Sequence, residues 1–165
     1  KSFILRLFKD IVSKDENNHI IYINKEKHEF ESIRTSKDLN AYIDERLDAE
    51  KMNRAAQGLT GEHDFKSFCS IRTQVEDTVR RIYSISVTRE GEMITFRVSG
   101  NGFLYNMVRI IVGTLLWVNE GGIKPEDIPE IMRKSDRTCA GKTAQAHGLY
   151  LNRVFYSEDE LLKET

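Results

Sequence analysis

Two neighbouring stretches of the chain alternate between hydrophobic and polar residues with a period of two. In the stretch 79–88, one face carries Arg81, Tyr83, Ile85 and Val87, and the other carries Ser84 and Ser86. In the stretch 93–99, one face carries Ile94, Phe96 and Val98, and the other carries Thr95 and Arg97. This alternation is typical of strands, and the Gly-containing turn 89–92 joins the two. The pattern therefore predicts a β-hairpin with one buried face.

Three stretches have helical patterns with recognisable ends. The first, 48–57, ends at Gly58, which we expect to adopt a left-handed conformation. The second, 103–120, is apolar nearly all round, as buried helices are. In the third, Pro125 occupies the first turn of a helix that reaches about Lys134. The region from residue 47 onward is therefore predicted to form well-defined elements.

The two ends of the chain carry weaker patterns. Residues 3–12 fit a short helix or a strand, residues 19–23 fit a strand, and residues 36–47 fit a helix. After the polar loop 135–147, the pattern predicts a last strand at 148–156 and a helical tail at 157–163. Because composition changes near residue 47, we divide the chain into a divergent segment, 1–46, and a domain, 47–165.

This order of elements predicts an α+β fold, a mostly antiparallel sheet with helices packed on one face. The other face of the sheet would be open and would carry Ser84, Ser86, Thr95 and Arg97. An open polar sheet face is a common RNA-binding surface. The alternatives are that this face is merely solvated, or that another part of the protein covers it.

Composition places few further limits on function. The 165 residues have a formal net charge of -1, so RNA binding would need a local basic patch. No apolar run is long enough to span a membrane, and the first residues make a poor signal peptide. Cys69 and Cys139 lie too far apart for metal-ligand spacing, which favours two reduced cysteines in a cytoplasmic protein.

One arginine lies inside the apolar helical stretch. Asn106, Arg109 and Gly113 are spaced three and four residues apart, so a helix places them on one face, and Gly102 begins the same stripe. Such a face lets another group approach the helix closely and contact the positive charge of Arg109. A buried arginine left without a partner costs roughly 3–5 kcal/mol, and one interpretation is that Arg109 holds an active-site carboxylate or a phosphate. The alternative is a structural ion pair or a side chain that reaches the surface.

Two loops also carry candidate chemistry. The loop 136–147 combines Arg137, Lys142 and Thr143 with small residues, a composition that suits phosphate binding. The alternative is an ordinary surface loop, which can have the same composition. His147 at its end fits either a general base or an exposed side chain. For the unit 61–68, a role in acid–base catalysis is the weaker interpretation. The stronger interpretation is structural, with an aspartate that caps a turn beside two aromatic residues of the core.

Four motifs in this order resemble the carboxy-terminal half of the tRNA pseudouridine synthase A (TruA) family. The motifs are Ala55-Ala56-Gln57-Gly58-Leu59-Thr60-Gly61-Glu62-His63-Asp64-Phe65, Thr78-Val79-Arg80-Arg81-Ile82-Tyr83, Gly102-Phe103-Leu104-Tyr105-Asn106-Met107-Val108-Arg109, and Asp136-Arg137-Thr138 with Gly148-Leu149-Tyr150-Leu151. The resemblance runs from about Leu47 to Tyr156. Ordered motifs of this kind are far more specific than one short pattern.

The resemblance implies a fold, an activity and site residues. Members of the family isomerise uridine to pseudouridine in the tRNA anticodon stem-loop, without metal or cofactor, usually as homodimers whose two related halves embrace the RNA. An aspartate in the amino-terminal half attacks the uridine, and the arginine that pairs with it corresponds to Arg109. Leu149 corresponds to the residue that lines the pocket under the base. Further substrate contacts are then expected from Tyr150, Asn106, Gly102, Lys142, Thr143 and Arg137.

The chain departs from the family pattern in its first part. The family's Gly-Arg-Thr-Asp-x-Gly-Val-His motif is absent, and the nearest string, Ile33-Arg34-Thr35-Ser36, lacks the aspartate. We therefore expect the missing amino-terminal catalytic half to be a partner, and the chain to be inactive alone. The alternative is a non-catalytic RNA-binding module that kept the fold. A purely structural domain is a weaker alternative, because it provides no negatively charged partner for Arg109.

Overall fold

A computed structural model describes residues 2–7, 12–13, 19–20, 47–70, 75–90, 93–157 and 160, and only the backbone of those before residue 47. The strands are β1 (Ser2–Leu7), β2 (Val12–Ser13), β3 (His19–Ile20), β4 (Gly61–Asp64), β5 (Val79–Glu90), β6 (Met93–Gly100) and β7 (Leu149–Arg153). The helices are α1 (Ala49–Gln57), α2 (Met107–Asn119) and α3 (Ile128–Lys134). Short 3-10 helices at 66–68, 125–127 and 137–139 complete the described elements.

Five strands form one antiparallel sheet in the order β4-β5-β6-β1-β7, and β2 pairs with β3 apart from it. Helices α1 and α2 pack against each other, α1 against β5 and α2 against β1. The α+β fold class predicted from the sequence is confirmed. For residues 3–12 the sequence left a helix or a strand open, and residues 2–7 form strand β1; the last strand is shorter than predicted.

The hairpin of β5 and β6 has one buried face, as predicted, except at the start of β5. Ile85 and Val87 are buried opposite Val98 and Phe96 of β6. A register shift lies between Ile82 and Ser84. Because a bulge inserts one extra residue, the alternation changes phase there. The prediction that Arg81 and Tyr83 share the face of Ile85 and Val87 is therefore wrong: both are exposed, and Ile82 is buried instead.

A side chain of α1 protects the free edge of β5. The amide of Asn53 donates to the carbonyl oxygen of Val87 at 2.8 Å and accepts from the Val87 N–H at 2.8 Å. Strand β4 pairs only with residues 79–82 of β5, so this edge would otherwise leave backbone groups without strand partners. The contact ties α1 to the sheet and fixes the height of the helix over it.

The ends of α1 are set by polar and by steric contacts. Asp48, the first residue of the predicted helix, accepts from the Lys51 N–H at 2.8 Å and is therefore the N-cap of α1. Gly58 has φ -66°, so the predicted left-handed conformation is wrong. A Cβ at Gly58 would lie 3.1 Å from Cγ2 of Ile128, and this close packing of α1 on α3 explains the glycine.

Helix α2 begins four residues later than the sequence predicted. Asn106, with φ 61°, adopts the left-handed conformation, which ordinary residues avoid and asparagine tolerates. A turn at Tyr105 and Asn106 therefore precedes the helix, and Gly102 does not belong to the helical stripe. The predicted helix at 36–47 lies outside the described residues apart from residue 47, which is not helical, and the predicted tail at 157–163 lies outside them apart from residues 157 and 160.

Candidate functional site around Arg109

The site is organised by the first turn of α2. The Ile110 N–H donates to the Asn106 carbonyl oxygen at 2.9 Å, which starts the helix directly after the left-handed residue. Arg109 Nη1 donates to Asn106 Oδ1 at 2.9 Å. Asparagine thus has two roles here, since its backbone turns the chain and its side chain holds the guanidinium. The predicted grouping of Asn106 and Arg109 on one face is confirmed.

The other side of the guanidinium is held by the loop before β7. Arg109 Nε donates to the Ala144 carbonyl oxygen at 2.7 Å, and the Ala144 N–H donates to the Arg109 carbonyl oxygen at 3.0 Å. Arg109 is half-buried. Side-chain rotation of an arginine held at both Nε and Nη1 is restricted, so the outer edge of the guanidinium has a defined direction.

Two glycines let this loop approach α2. A Cβ at Gly113 would lie 1.7 Å from the Lys142 carbonyl oxygen, and one at Gly141 would lie 2.6 Å from the Gly113 carbonyl oxygen. The Gly141 N–H donates to Thr114 Oγ1 at 2.9 Å. The sequence predicted that something approaches the face of Gly113 closely, and the group that does so is the chain's own loop.

No carboxylate pairs with Arg109 among the residues that the structure describes. The ion pairs within that part of the chain are Arg81 with Glu62 at 3.4 Å and Arg133 with Glu130, all on the surface. A guanidinium carries five N–H donors, and the contacts to Asn106 and Ala144 use two of them. The arrangement is therefore suited to bind an anion that reaches its outer edge.

The loop also brings two of the other predicted residues together. Arg137 Nη2 donates to Thr143 Oγ1 at 3.2 Å, and Arg137 Nη1 donates to the Ala140 carbonyl oxygen at 3.3 Å. Lys142 and Thr143 are exposed. Asp136 begins the short helix 137–139 and accepts from the Thr138 N–H at 2.8 Å, and this hydrogen bond is the main cause of the lowered pKa of its carboxyl.

Leu149 and Tyr150 lie at the far end of the same loop. The Leu149 N–H donates to the Ala146 carbonyl oxygen at 3.0 Å, which turns the chain into β7. Leu149 is half-buried against the core, whereas Tyr150 is 39% exposed. Residues 144–149 thus join the residue that holds Arg109 to the start of β7. His147, within this segment, is exposed.

The unit 61–68 is structural, as the stronger interpretation predicted. The rings of Phe65 and Phe68 are buried with centroids 6.0 Å apart in an edge-to-face arrangement. Asp64 Oδ1 accepts from Thr78 Oγ1 at 2.5 Å and from the Lys66 N–H at 3.0 Å. His63 Nε2 lies 2.9 Å from the Thr60 carbonyl oxygen.

Sequence reasoning missed a cavity of about 560 Å³ between this unit and the loop. It is lined by Asp64, Lys66, Cys69, Ser70, Val75, Glu76, Thr78, Ser135, Asp136 and Arg137. Burial, followed by the negative charge of Asp64, raises the pKa of the Cys69 thiol. The two sides of the cavity lie about seventy positions apart in the sequence, so no local pattern predicts that they meet. The only signal was that the motif Asp136-Arg137-Thr138, which resembles the family, supplies two of the lining residues.

The described residues contain no group of three or more His, Cys, Asp or Glu side chains that could hold a metal ion. Of the helices described, none has the length and hydropathy required to cross a bilayer.

Comparison with known proteins identifies the family. A family model described as tRNA pseudouridine synthase matches residues 55–157. The tRNA pseudouridine synthase A of Bacillus pumilus is 53% identical over 111 residues, which cover 67% of this chain and 45% of the relative. Its counterpart in Anoxybacillus flavithermus is 56% identical over 105 residues, 64% of this chain and 43% of the relative.

The Bacillus subtilis protein of the same name is 48% identical over 111 residues, again 67% of this chain and 45% of the relative. The matches therefore span less than half the length of these relatives. The matched residues 55–157 contain α2, the loop before β7 and β7 itself, so every element that builds the Arg109 site lies inside the family region. The chain belongs to the tRNA pseudouridine synthase family.

Proposed function

We propose that this chain is the carboxy-terminal half of a tRNA pseudouridine synthase that isomerises uridine to pseudouridine in the anticodon stem-loop. The observation that carries the proposal is Arg109, a half-buried guanidinium held on two sides with no carboxylate partner among the described residues. In the proposed enzyme, the catalytic aspartate comes from the amino-terminal half and meets the outer edge of Arg109.

The chemistry of the reaction explains why such an arginine is useful. A nucleophilic carboxylate must stay ionised although it is shielded from water, and a neighbouring guanidinium lowers its pKa. Two parallel N–H groups also fix the orientation of a carboxylate, because a guanidinium matches its geometry. The contacts from Asn106 and Ala144 leave the outer edge of Arg109 for this task. The aspartate attacks the uridine, the N1–C1′ glycosidic bond breaks, and the base turns. Its C5 then bonds to C1′ of the ribose and displaces the aspartate, and the proton lost from C5 is balanced by one gained at N1.

The remaining residues are proposed to bind the RNA. The target base must leave the stack to be reached, so an apolar wall from Leu149 beside Tyr150 is useful. Lys142 and Thr143 are exposed and are proposed to contact phosphates, with Arg137 holding Thr143 in place. Gly102, in the turn before α2, is proposed to lie near the RNA backbone; Asn106 acts mainly through Arg109.

The proposed partners follow from the same scheme. They are tRNA, the amino-terminal catalytic half and, in the full-length enzyme, a second copy that forms a homodimer. The proposed enzyme is cytoplasmic and needs no cofactor or metal, because its nucleophile, its arginine and its base pocket are all protein groups.

A second function is supported by the open face of the sheet. Ser86 and Arg97 are exposed there, and Thr95 is half-buried beside them. A polar face with a cation can bind RNA without any chemistry, so a non-catalytic RNA-binding module is the alternative. This alternative predicts tRNA binding with no need for an aspartate at Arg109.

The two proposed functions predict different effects of adding the amino-terminal half on pseudouridine formation. We expect the isolated chain to form no pseudouridine on a tRNA anticodon stem-loop, measured by mass spectrometry of the digested RNA. We expect conversion once the amino-terminal half of the Bacillus subtilis relative is joined to it, a combination called here the reconstituted enzyme. Conversion by the isolated chain would mean that the nucleophile lies within it. A reconstituted enzyme that binds tRNA but converts none would favour the binding module.

A further inference from the structure

A tyrosine beside the Arg109 site points its ring into solvent. Tyr105, in the turn before α2, is 66% exposed, whereas Leu104 and Met107 on either side of the turn are buried. Large aromatic side chains usually bury most of their surface in a core or against a partner. The exposure of Tyr105 therefore requires an explanation that the packing of the turn does not supply.

The backbone that carries this ring is fixed. The Tyr105 carbonyl oxygen accepts from the Ser70 N–H at 3.2 Å. The next residue, Asn106, has φ 61° and accepts from the guanidinium of Arg109. A tyrosine ring has only two χ angles, so on a fixed backbone it loses little conformational entropy when a flat partner covers it. The turn thus presents a rigid aromatic surface directly before the residue that holds Arg109.

A cation lies at the same turn. The side chain of Arg80 lies against Gly102, where a Cβ would be 3.8 Å from both Cδ and Nε of the arginine. Arg80 Nη1 donates to the carbonyl oxygens of Asp77 and Val79, and no carboxylate within the described part of the chain pairs with it. Proteins bind unpaired nucleic acid with this combination, because the cation attracts the phosphate backbone and the ring stacks on a base.

A nucleobase suits this ring better than a protein surface does. Protein partners cover contiguous apolar patches. Leu104 is buried and Asn106 is polar, so the residues next to Tyr105 in the chain do not extend its apolar surface. One base and one tyrosine ring are both flat, and stacking needs no further apolar area. The charge of Arg80 beside the turn also favours RNA over an apolar protein segment.

We infer that Tyr105 is a stacking platform for an unpaired base of the RNA, that of a nucleotide next to the target uridine. The inference rests on the proposed function, because it takes the Arg109 site as the place where that uridine is held. A target base that leaves the stack deprives its neighbour of a stacking partner. The ring of Tyr105 replaces that partner and stabilises the opened RNA. Tyr105 is therefore a binding residue and not a catalytic one.

Photochemical cross-linking of the reconstituted enzyme tests the inference. Anticodon stem-loops carry 5-iodouridine directly before or directly after the target uridine, or in the distant part of the stem as a control. An iodinated base cross-links on irradiation to an aromatic ring stacked on it. We expect one neighbouring position to cross-link to Tyr105, identified by mass spectrometry of the linked peptide, with a yield at least about tenfold above that of the distant label. Tyr105→Phe should keep this cross-link, and Tyr105→Leu should lose it.

The Kd for the same stem-loops gives a second measurement. Tyr105→Leu should weaken binding roughly fivefold or more, and Tyr105→Phe less than about twofold, because stacking needs the ring and not the hydroxyl. Tyr156→Leu is the matched control, since Tyr156 is 90% exposed and lies after β7, away from the turn. Its Kd should be unchanged.

Two results would overturn the inference. One is the lack of a Tyr105 cross-link from either neighbouring position, which would leave the amino-terminal half as the partner that covers the ring. The other is an equal Kd for the leucine and phenylalanine variants. The proposed function fails on a different readout, namely the lack of pseudouridine formation by the reconstituted enzyme with Tyr105 intact.

Discussion

Arg109 and Ala144 are joined by two hydrogen bonds that run in opposite directions. The arginine side chain donates to the Ala144 carbonyl oxygen at 2.7 Å, and the Ala144 N–H donates to the arginine carbonyl oxygen at 3.0 Å. The loop before β7 and the first turns of α2 therefore hold each other in place. The direction of the guanidinium depends on how closely that loop packs on the helix.

Gly113→Ala should lift the loop from the helix. The added methyl group would lie 1.7 Å from the Lys142 carbonyl oxygen, so backbone has to move. We expect a loss of about 1–3 kcal/mol in the free energy of unfolding, the usual cost of an overpacked core. Urea denaturation followed by circular dichroism measures it.

Gly102→Ala is the matched control for this substitution. A Cβ at Gly102 has its nearest neighbours in the Arg80 side chain at 3.8 Å, an ordinary contact distance. The control should therefore unfold within about 0.5 kcal/mol of the original chain, as surface substitutions usually do. Equal losses for the two variants would show that Gly113 does not set the distance between loop and helix.

Asn106 offers a way to separate backbone from side chain. Asn106→Gly keeps access to the left-handed conformation but removes the oxygen that accepts from Arg109. Asn106→Asp replaces that oxygen with a carboxylate of the same size, which would pair with the guanidinium and compete with the aspartate from the other half. We expect the aspartate variant of the reconstituted enzyme to lose more turnover than the glycine variant.

The expected order of stability for these variants is the reverse. A carboxylate at the start of α2 gains from the helix dipole and from the arginine, so Asn106→Asp should melt at or above the temperature of the original chain. Full turnover of the Asn106→Asp variant, in spite of its added carboxylate, would contradict the proposed role of Arg109. Thermal melts and pseudouridine assays on the same samples provide both measurements.

The two cysteines should differ in reactivity. Burial and the charge of Asp64 raise the pKa of the Cys69 thiol, and its exposed fraction is only 4%. The thiolate is the reactive form, so a raised pKa means that Cys69 reacts only at higher pH than an ordinary thiol. We expect iodoacetamide at pH 8 to modify the half-buried Cys139 first, with Cys139→Ser as the control. Faster labelling of Cys69 under native conditions would contradict its described burial.

Periodicity predicted the hairpin because its effect is repeated over many residues. At β6 the alternation holds from Met93 to Val98, and each inward position is buried as predicted, although Ser99 is buried as well. At β5 one bulged residue reversed the faces before Ser84, and its only trace in the sequence is the odd spacing between Ile82 and Ile85, which a strict period of two does not accommodate. The prediction therefore failed at Arg81 and Tyr83 while the hairpin itself was confirmed.

The site was predictable in part for a similar reason. Helical spacing placed Asn106 with Arg109, and their hydrogen bond confirms that grouping. The contact with Ala144 joins residues 35 positions apart, and no local pattern encodes it. The helix start at Met107 was also missed, because the apolar run continues through residues 103–105 and the left-handed conformation of Asn106 is not encoded in the apolar pattern.

The most direct test of the account is Arg109→Ala in the reconstituted enzyme. Single-turnover conversion of an anticodon stem-loop and the Kd for the same RNA are measured together. An unpositioned catalytic carboxylate should cost roughly 100-fold or more in conversion rate, with the Kd changed by less than about threefold. Conversion at the original rate, or a loss that appears only in RNA binding, would contradict the claim that Arg109 orients the nucleophile.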